Sequence, residues 1–394
     1  MMEGRLRAER LKALLDINQA TWQELSDQLG VSQSFISELF RNGSMFDEEL
    51  AVRAAQIFHV PLSFFAVDDS KFASITTTFS KSGFAAGTAG CAETAERREA
   101  AELAATAERK VNQLAREVNR AWDALSRESG YLDFPSNDLL ALGLGVEKVA
   151  EQTRKVLGLS ATEPIQNVTH ILGLLGIAVV YPLLEDVEDA GHLAISLPSR
   201  ENTRPAVSIV HRTEGARQRL TLAHELGHLL FDQGLTQPIP STRAPQERRA
   251  YDFAGALLLP ESVARARINE TTPLRSLLDI RREYGISVAA TAVRAQRLGI
   301  ITQHRFRSLQ IQLANAGWRK REPVIVPPEK PSLFRQAAER VFGKKALAFR
   351  MSEVLGLKPE WINSWLHLDS AADTASVEKF GDGGESQVIQ LRQR

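Results

Sequence analysis

His224 and His228 stand four residues apart, with Glu225 beside the first, in the run Leu222-Ala223-His224-Glu225-Leu226-Gly227-His228-Leu229-Leu230. A helix turns once in about 3.6 residues, so the two imidazoles lie one turn apart on one face and aim at one point. That arrangement suits a tetrahedral zinc ion, and Glu225 is better placed as a base than as a third ligand. Leu222, Ala223, Leu226, Leu229 and Leu230 supply the apolar surface that buries the helix and holds the ligands still. Gly227 costs a helix about 1 kcal/mol against alanine, so its presence predicts close approach by another element. The competing reading of these five letters alone is a buried helix whose histidines are satisfied by hydrogen bonds.

A third ligand is available downstream. Ala250, Phe253, Ala254, Leu257 and Leu258 recur at helical spacing, Pro260 ends the pattern, and Glu247 opens it. Its carboxylate completes a His2Glu set that leaves a fourth position for water. Zinc lowers the pKa of such a water towards ~7 and polarises a carbonyl. Glu225 would take the water's proton and pass it to the leaving amine. The plain alternative for Glu247 is a solvated carboxylate on a helix dipole. One zinc ion per chain is the expected cofactor, with manganese as the other candidate, since intrinsic affinities do not settle loading in a cell.

The pattern H-E-L-G-H followed by E-x-x-A-x-x-F-A-x-x-L-L-x-P resembles the ImmA/IrrE family of bacterial metallopeptidases. The resemblance implies that His224, His228 and Glu247 are metal ligands and Glu225 the catalytic acid/base. It extends upstream through R-x-x-L-G-L at 154–159, P-I-x-N at 164–167 and G-I-A-V-V at 176–180. The family usually has Asn where this chain has Tyr251, four residues after Glu247 and on the same face. Tyr251 is either a phenol donor to a substrate oxyanion or to a ligand, or a packed aromatic. His211, after the strand leading to the site, is the other candidate oxyanion or substrate contact. His170 and His192 read as structural, His304 as added positive charge, and Arg217 and Arg219 as solvated.

The elements that must position these residues form an α+β, predominantly helical chain. Helices over 146–157 and 165–175 and strands over 177–181, 191–197 and 206–210 make a zincin-like metallopeptidase domain with a small sheet, assigned to 131–302. The segment 206–210 is expected near the cleft, because related metallopeptidases bind substrate as a strand added to a sheet edge.

The N-terminal region, 1–69, reads as a helix-turn-helix domain of four to five helices. Thr21 and Glu24 form a capping box, Gly30 ends that helix, and Ser32 caps a third helix with Phe35, Ile36 and Leu39 inward. Asn42-Gly43 signals a turn. The run L-G-V-S-x-S-x-I-S and the closing V-P-L-S-F-F resemble phage-repressor (Xre/Cro) domains. By that resemblance Gln33, Ser34 and Ser37 face base edges in the major groove. Two features pull the other way. Residues 1–70 hold six Lys/Arg against eleven Asp/Glu, and Trp22 replaces the usual phosphate-contacting Gln. Docking onto another helix-turn-helix protein is the alternative use of this domain.

Residues 70–130 read as a flexible, Ser/Thr/Gly-rich connection with a short strand near 75–79, then a long helix over 92–128. Leu103, Val111, Leu114, Val118, Trp122 and Leu125 form its apolar stripe, its charged face reads as solvated, and it offers a surface for a homodimer. A C-terminal helical region spans 303–369, with helices over 303–313 and 333–349 around the proline-rich stretch 323–331; a polar, disordered tail is expected over 370–394. Residues 301–350 carry eleven Lys/Arg against three Asp/Glu, a surface for phosphate or for the acidic N-terminal domain. The 394 residues carry zero formal net charge and one cysteine, Cys91, which excludes an internal disulfide and a cysteine zinc site. With no secretory pattern at the start and no apolar run long enough to span a bilayer, a cytoplasmic protein without a membrane partner is expected. The function these readings favour is a zinc endopeptidase fused to a DNA-binding domain, cutting a helix-turn-helix repressor to release stress, prophage or mobile-element genes. The alternative is a DNA-binding transcriptional regulator whose peptidase-like domain is a sensor or dimerisation module.

Overall fold

The computed structural model describes residues 6–42, 46–81, 95–136, 144–180, 183, 192–237, 239, 241 and 243–367. The expected tail over 370–394, residues 82–90 of the flexible connection and Gly43 of the expected turn lie outside the described residues.

Helices α1 (Glu9–Asn18), α2 (Trp22–Leu29), α3 (Gln33–Asn42) and α4 (Glu48–Phe58), closed by a 3-10 turn (Leu62–Ala66), form the N-terminal unit. Its punctuation follows the sequence: Thr21 and Glu24 make the reciprocal capping box, Gly30 ends α2 at φ 67°, and the Ser32 hydroxyl accepts from the Phe35 amide. Ile36 and Leu39 are buried as expected, but Phe35 is 43% exposed. It sits one residue before Ile36, about 100° round the helix from the inward stripe.

After the short helix α5 (Ser70–Ala73) and strand β1 (Thr78–Lys81) comes α6 (Ala95–Ser129). The expected strand near 75–79 thus begins three residues later. The charged face of α6, read as solvated, is partly interior. Gln113, Glu117, Asn119 and Arg120 are buried beside Val111, Leu114, Val118, Trp122 and Leu125, whereas Leu103 lies in an exposed turn. The reason is position: α6 has packing partners on several sides, so its polar groups pair instead of facing water. Glu117 accepts from Arg10 of α1 at 2.6 Å and from two nitrogens of Arg120 at 2.9 and 3.0 Å. Arg10 also binds Asp69 at 2.7 Å and lies over the Phe64 ring.

Burial alone would raise the Glu117 carboxyl, but Arg10 and Arg120 outweigh it and hold the group down to about 2. A depressed carboxyl contributes stability that is complete above its unfolded value, about 4.3, and lost as pH falls towards 2. Glu117→Gln removes the carboxylate that two buried guanidinium groups share, leaving Arg10 with Asp69 alone, and is expected to cost about 3–5 kcal/mol at pH 7, read as a lower urea midpoint. The wild-type advantage shrinks below pH 4; an advantage unchanged at pH 2 would refute the ion-pair account.

The metal-helix half contains α7 (Val146–Val156), α8 (Val168–Leu174), β2 (Ala178–Val180), β3 (His192–Ser196), β4 (Ala206–Ile209), α9 (Gly215–Phe231) and α10 (Pro245–Leu258). Helix α8 starts later than the expected 165 because the Asn167 side chain caps it, accepting from the His170 amide at 2.8 Å. In α7 the buried face is Val149, Ala150 and Thr153, and Val156 is 45% exposed. The sheet order is β1-β3-β4-β2, with β2 parallel to β4 and the other neighbours antiparallel. Alternation along the strands divides the sheet between two cores. Ile195 and Ala206 face the core shared with the N-terminal unit and α6, while Ala194, Val207 and Ile209 face α9 and α10. Strand β4 is interior and fully buried, and the edges are β1 and β2, a point the sequence left open.

Helices α11 (Glu261–Arg267), α12 (Leu277–Tyr284), α13 (Val288–Arg297) and α14 (Gln303–Asn315) build a third core. The expected helix over 333–349 is two, α15 (Leu333–Phe342) and α16 (Leu347–Leu355), broken at Gly343, with α17 (Pro359–Leu366) following. These last helices share the N-terminal unit's core, with Trp361 edge-on to Phe64. The proline-rich stretch is strapped to the start of α9. The Gly215 amide donates to Val326 O at 3.2 Å, and a Cβ at Gly215 would lie 2.3 Å from Pro327 O. Arg219, read as solvated, is instead 4% exposed and binds Glu329 and the carbonyls of Ile165, Gln166 and Tyr284. Arg217 is exposed as expected. Among the described residues no helix is long and apolar enough to cross a membrane.

Candidate metal centre

Helix α9 carries His224, Glu225 and His228, all fully buried, and α10 crosses it closely enough to bring in Glu247, 3% exposed. Gly227 is the reason the crossing can be so close: a Cβ there would lie 3.0 Å from Ala250 Cα on α10. His224 Nε2, His228 Nε2 and a Glu247 carboxylate oxygen converge, His224 Nε2 lying 2.9 Å from His228 Nε2 and 3.3 Å from Glu247 Oε2, and His228 Nε2 3.4 Å from Glu247 Oε1. Ligands about 2.0–2.1 Å from a tetrahedral zinc stand about 3.3 Å apart, and the contacts of 2.9, 3.3 and 3.4 Å are of that size. His224 Nδ1 and Glu247 Oε2 are buried with no hydrogen bond among the described residues. A buried carboxylate oxygen left this way is costly unless a cation faces it.

Without a metal, protons take the place of a cation in this cluster. Burial drives His224 down to about 4, leaving it neutral and able to ligate. For His228, burial works against charge, but hydrogen bonds with Asp232 and Glu247 outweigh it and raise it to about 9. Burial would also raise Glu247, yet its close contacts with the two histidines hold it down to about 2. Without a metal, the interior carboxylate of Glu247 is therefore balanced by a protonated His228, a proton that a bound cation would displace.

Glu225 is held from the sheet. Its Oε2 accepts from the Ser196 hydroxyl at 2.6 Å, a short, charge-assisted bond from β3. Ser196 Oγ lies 2.9 Å from Thr78 Oγ1 of β1. Tyr251 packs its half-buried ring 4.1 Å from the His224 ring, at 49°. That contact places Tyr251 at the site. His211 is half-buried two residues beyond β4. His170 is exposed on α8, and His192 begins β3. Gln33, Ser34 and Ser37 are exposed along α3, a surface separate from the metal cluster; Gln33 donates to Gln23 of α2, and Ser34 pairs with Ser32. Trp22, beside them, is 43% exposed and edge-on to Phe40.

The sequence reading missed Ser196, Thr78, Asp232 and Arg249. Asp232 accepts from His228 Nδ1 at 2.7 Å and is itself held by Arg249, which lies over the Phe231 ring. A carboxylate on the far nitrogen fixes the tautomer that turns Nε2 towards the metal. Its spacing, four residues after His228, was a legible signal. Asp232→Ala is expected to weaken zinc affinity by about 10–100-fold, measured by competition with a chromophoric chelator; unchanged affinity would remove Asp232 from the site.

Residues 174–296 match the IrrE N-terminal-like domain of the peptidase M78 family, and residues 6–65 match a helix-turn-helix domain. The first match contains His224, Glu225, His228, Asp232 and Glu247, and it is to a metallopeptidase-type family. The second contains Gln33, Ser34 and Ser37. No curated protein and no solved structure matches the chain.

Proposed function

We propose that a chain pairing an IrrE N-terminal-like domain with a helix-turn-helix domain in this way is a zinc-dependent endopeptidase that cuts a helix-turn-helix transcriptional repressor. The observation that carries the reading is the convergence of His224, His228 and Glu247 on one point, with the Glu225 carboxylate buried next to them. A zinc ion held by those three side chains supplies Lewis-acid chemistry, polarising a carbonyl and acidifying water. Glu225 accepts the proton of the attacking water and delivers it to the leaving amine. Ser196 holds that carboxylate in one orientation, so the proton arrives at a fixed place. Asp232 and Arg249 hold His228. Exclusion of bulk water from this interior strengthens each charge interaction. The helix-turn-helix domain places the enzyme at the operator its target occupies.

The test is co-expression with the transcriptional regulator encoded nearest to this gene, comparing wild type with Glu225→Gln and following the regulator by intact mass. Cleavage by wild type alone supports the peptidase and gives the cut site. An intact regulator together with a zinc-free protein refutes it. The exposed Gln33, Ser34 and Ser37 favour a second reading, a DNA-binding regulator with a sensor or dimerisation module, which predicts operator binding that survives Glu225→Gln.

A further inference from the structure

The edge of the sheet beside Glu225 is covered by the chain itself. Strand β3 runs antiparallel to β4, and its last residue, Ser196, is the one bonded to Glu225. Without β1, β3 would be an edge strand ending at the candidate catalytic glutamate. A bare edge presents a row of unpaired amides and carbonyls and takes an extended peptide as an added strand. In this molecule that place is filled by Thr78–Lys81, antiparallel, with Thr78 opposite Ser196, Phe79 opposite Ile195 and Ser80 opposite Ala194. Ser196 commits its hydroxyl proton to Glu225, so in the 2.9 Å contact Thr78 donates and Ser196 accepts. The ladder is short, and its register shifts between Ser80 and Lys81. Residues 78–81 also fall outside both matched segments, 6–65 and 174–296.

We propose that β1 is an internal stand-in for substrate: residues 78–81 occupy the peptide-binding edge of β3, and an extended peptide enters antiparallel to β3 only when β1 leaves. This rests on the peptidase reading above. The stand-in is tied to the helix-turn-helix domain. Asp69 binds Arg10 of α1 at 2.7 Å, Lys71 binds Asp123 of α6 at 2.9 Å, and Thr77 donates to Asn112 of α6. Phe72 and Ile75 are buried in the core that the domain shares with α6. A partner that shifts the domain on α6 therefore pulls on the residues leading into β1. Departure of β1 frees the β3 edge and removes the Thr78 hydroxyl from Ser196 in one movement.

The test uses the zinc-loaded full chain carrying Ser80→Cys and Ala194→Cys, a cross-strand pair, with Cys91→Ser to avoid side reactions. Acetohydroxamate probes the metal alone, and a tripeptide hydroxamate probes metal and edge together. Oxidation locks β1 onto β3. The tripeptide hydroxamate is expected to bind the oxidised protein about tenfold or more weakly than the reduced protein, with acetohydroxamate affinity the same in both. In wild type, the tripeptide hydroxamate is expected to speed amide exchange in 78–81 while protecting 192–196. Equal affinity of the tripeptide hydroxamate for both redox forms, or slower exchange in 78–81, overturns the stand-in and leaves the peptidase reading intact. Failure of acetohydroxamate to bind either form overturns the metal-centre reading and the stand-in with it.

Discussion

Glu225→Gln is expected to slow cleavage of the regulator by about 10²–10⁴-fold while the protein keeps one zinc per chain. The substitution is nearly isosteric, and the amide oxygen still accepts from Ser196, so packing of α9 on β3 is preserved. What disappears is the capacity to take a proton. Glu225 is not among the three side chains that converge on the metal position, so zinc content by mass spectrometry should match wild type. That split between chemistry and loading is the signature of a base. If the variant cleaved at the wild-type rate, Glu225 would have no catalytic role; if it lost its zinc, the carboxylate would be part of the metal shell.

Glu247→Ala is expected to abolish stable zinc binding and with it all cleavage. The loss should exceed by far the ~10–100-fold that removing an outer hydrogen bond costs, because a ligand and the only carboxylate charge among the three go together. It also leaves His224 and His228 facing each other at 2.9 Å with no carboxylate on their shared side, Asp232 lying on the far nitrogen of His228. The matching thermal experiment compares wild type with and without a chelator. Zinc at a thousand times its dissociation constant stabilises the metal-bound fold by about 4 kcal/mol, which for a domain of this size raises its melting temperature by about 10 °C. Glu247→Ala should melt at one temperature under both conditions. A variant that still melted higher with zinc would place the metal elsewhere.

The two variants probe different parts of one architecture. The base is positioned by the sheet and the third ligand by a helix crossing, so the chemistry depends on both sides of the second core. The β1 strand adds a third dependence, on the segment that leaves the helix-turn-helix domain.

The sequence by itself determined the candidate cluster His224, His228 and Glu247 and the elements that carry it. A four-residue spacing on a helix fixes a shared face whatever the rest of the chain does, so His224 and His228 were legible as a pair. Thr21, Gly30 and Ser32 act through hydrogen bonds or backbone preferences within a few residues, and their caps and turns could be read directly. Gly227 announced a close neighbour, though not that the neighbour would be Ala250. Only the tertiary structure decided what depends on contacts distant in sequence. Ser196 reaches Glu225 because strand register turns it towards α9, and register follows from pairing that no local pattern encodes. Glu117, Arg120 and Arg219 look like surface charges in the sequence; they are interior because remote partners, Arg10 and Glu329, meet them there. Which strand forms the sheet edge was likewise not legible, since alternation shows that a segment is a strand but not which neighbours it will have. The covering of that edge by residues 78–81, more than a hundred positions before β3, follows from the same long-range pairing.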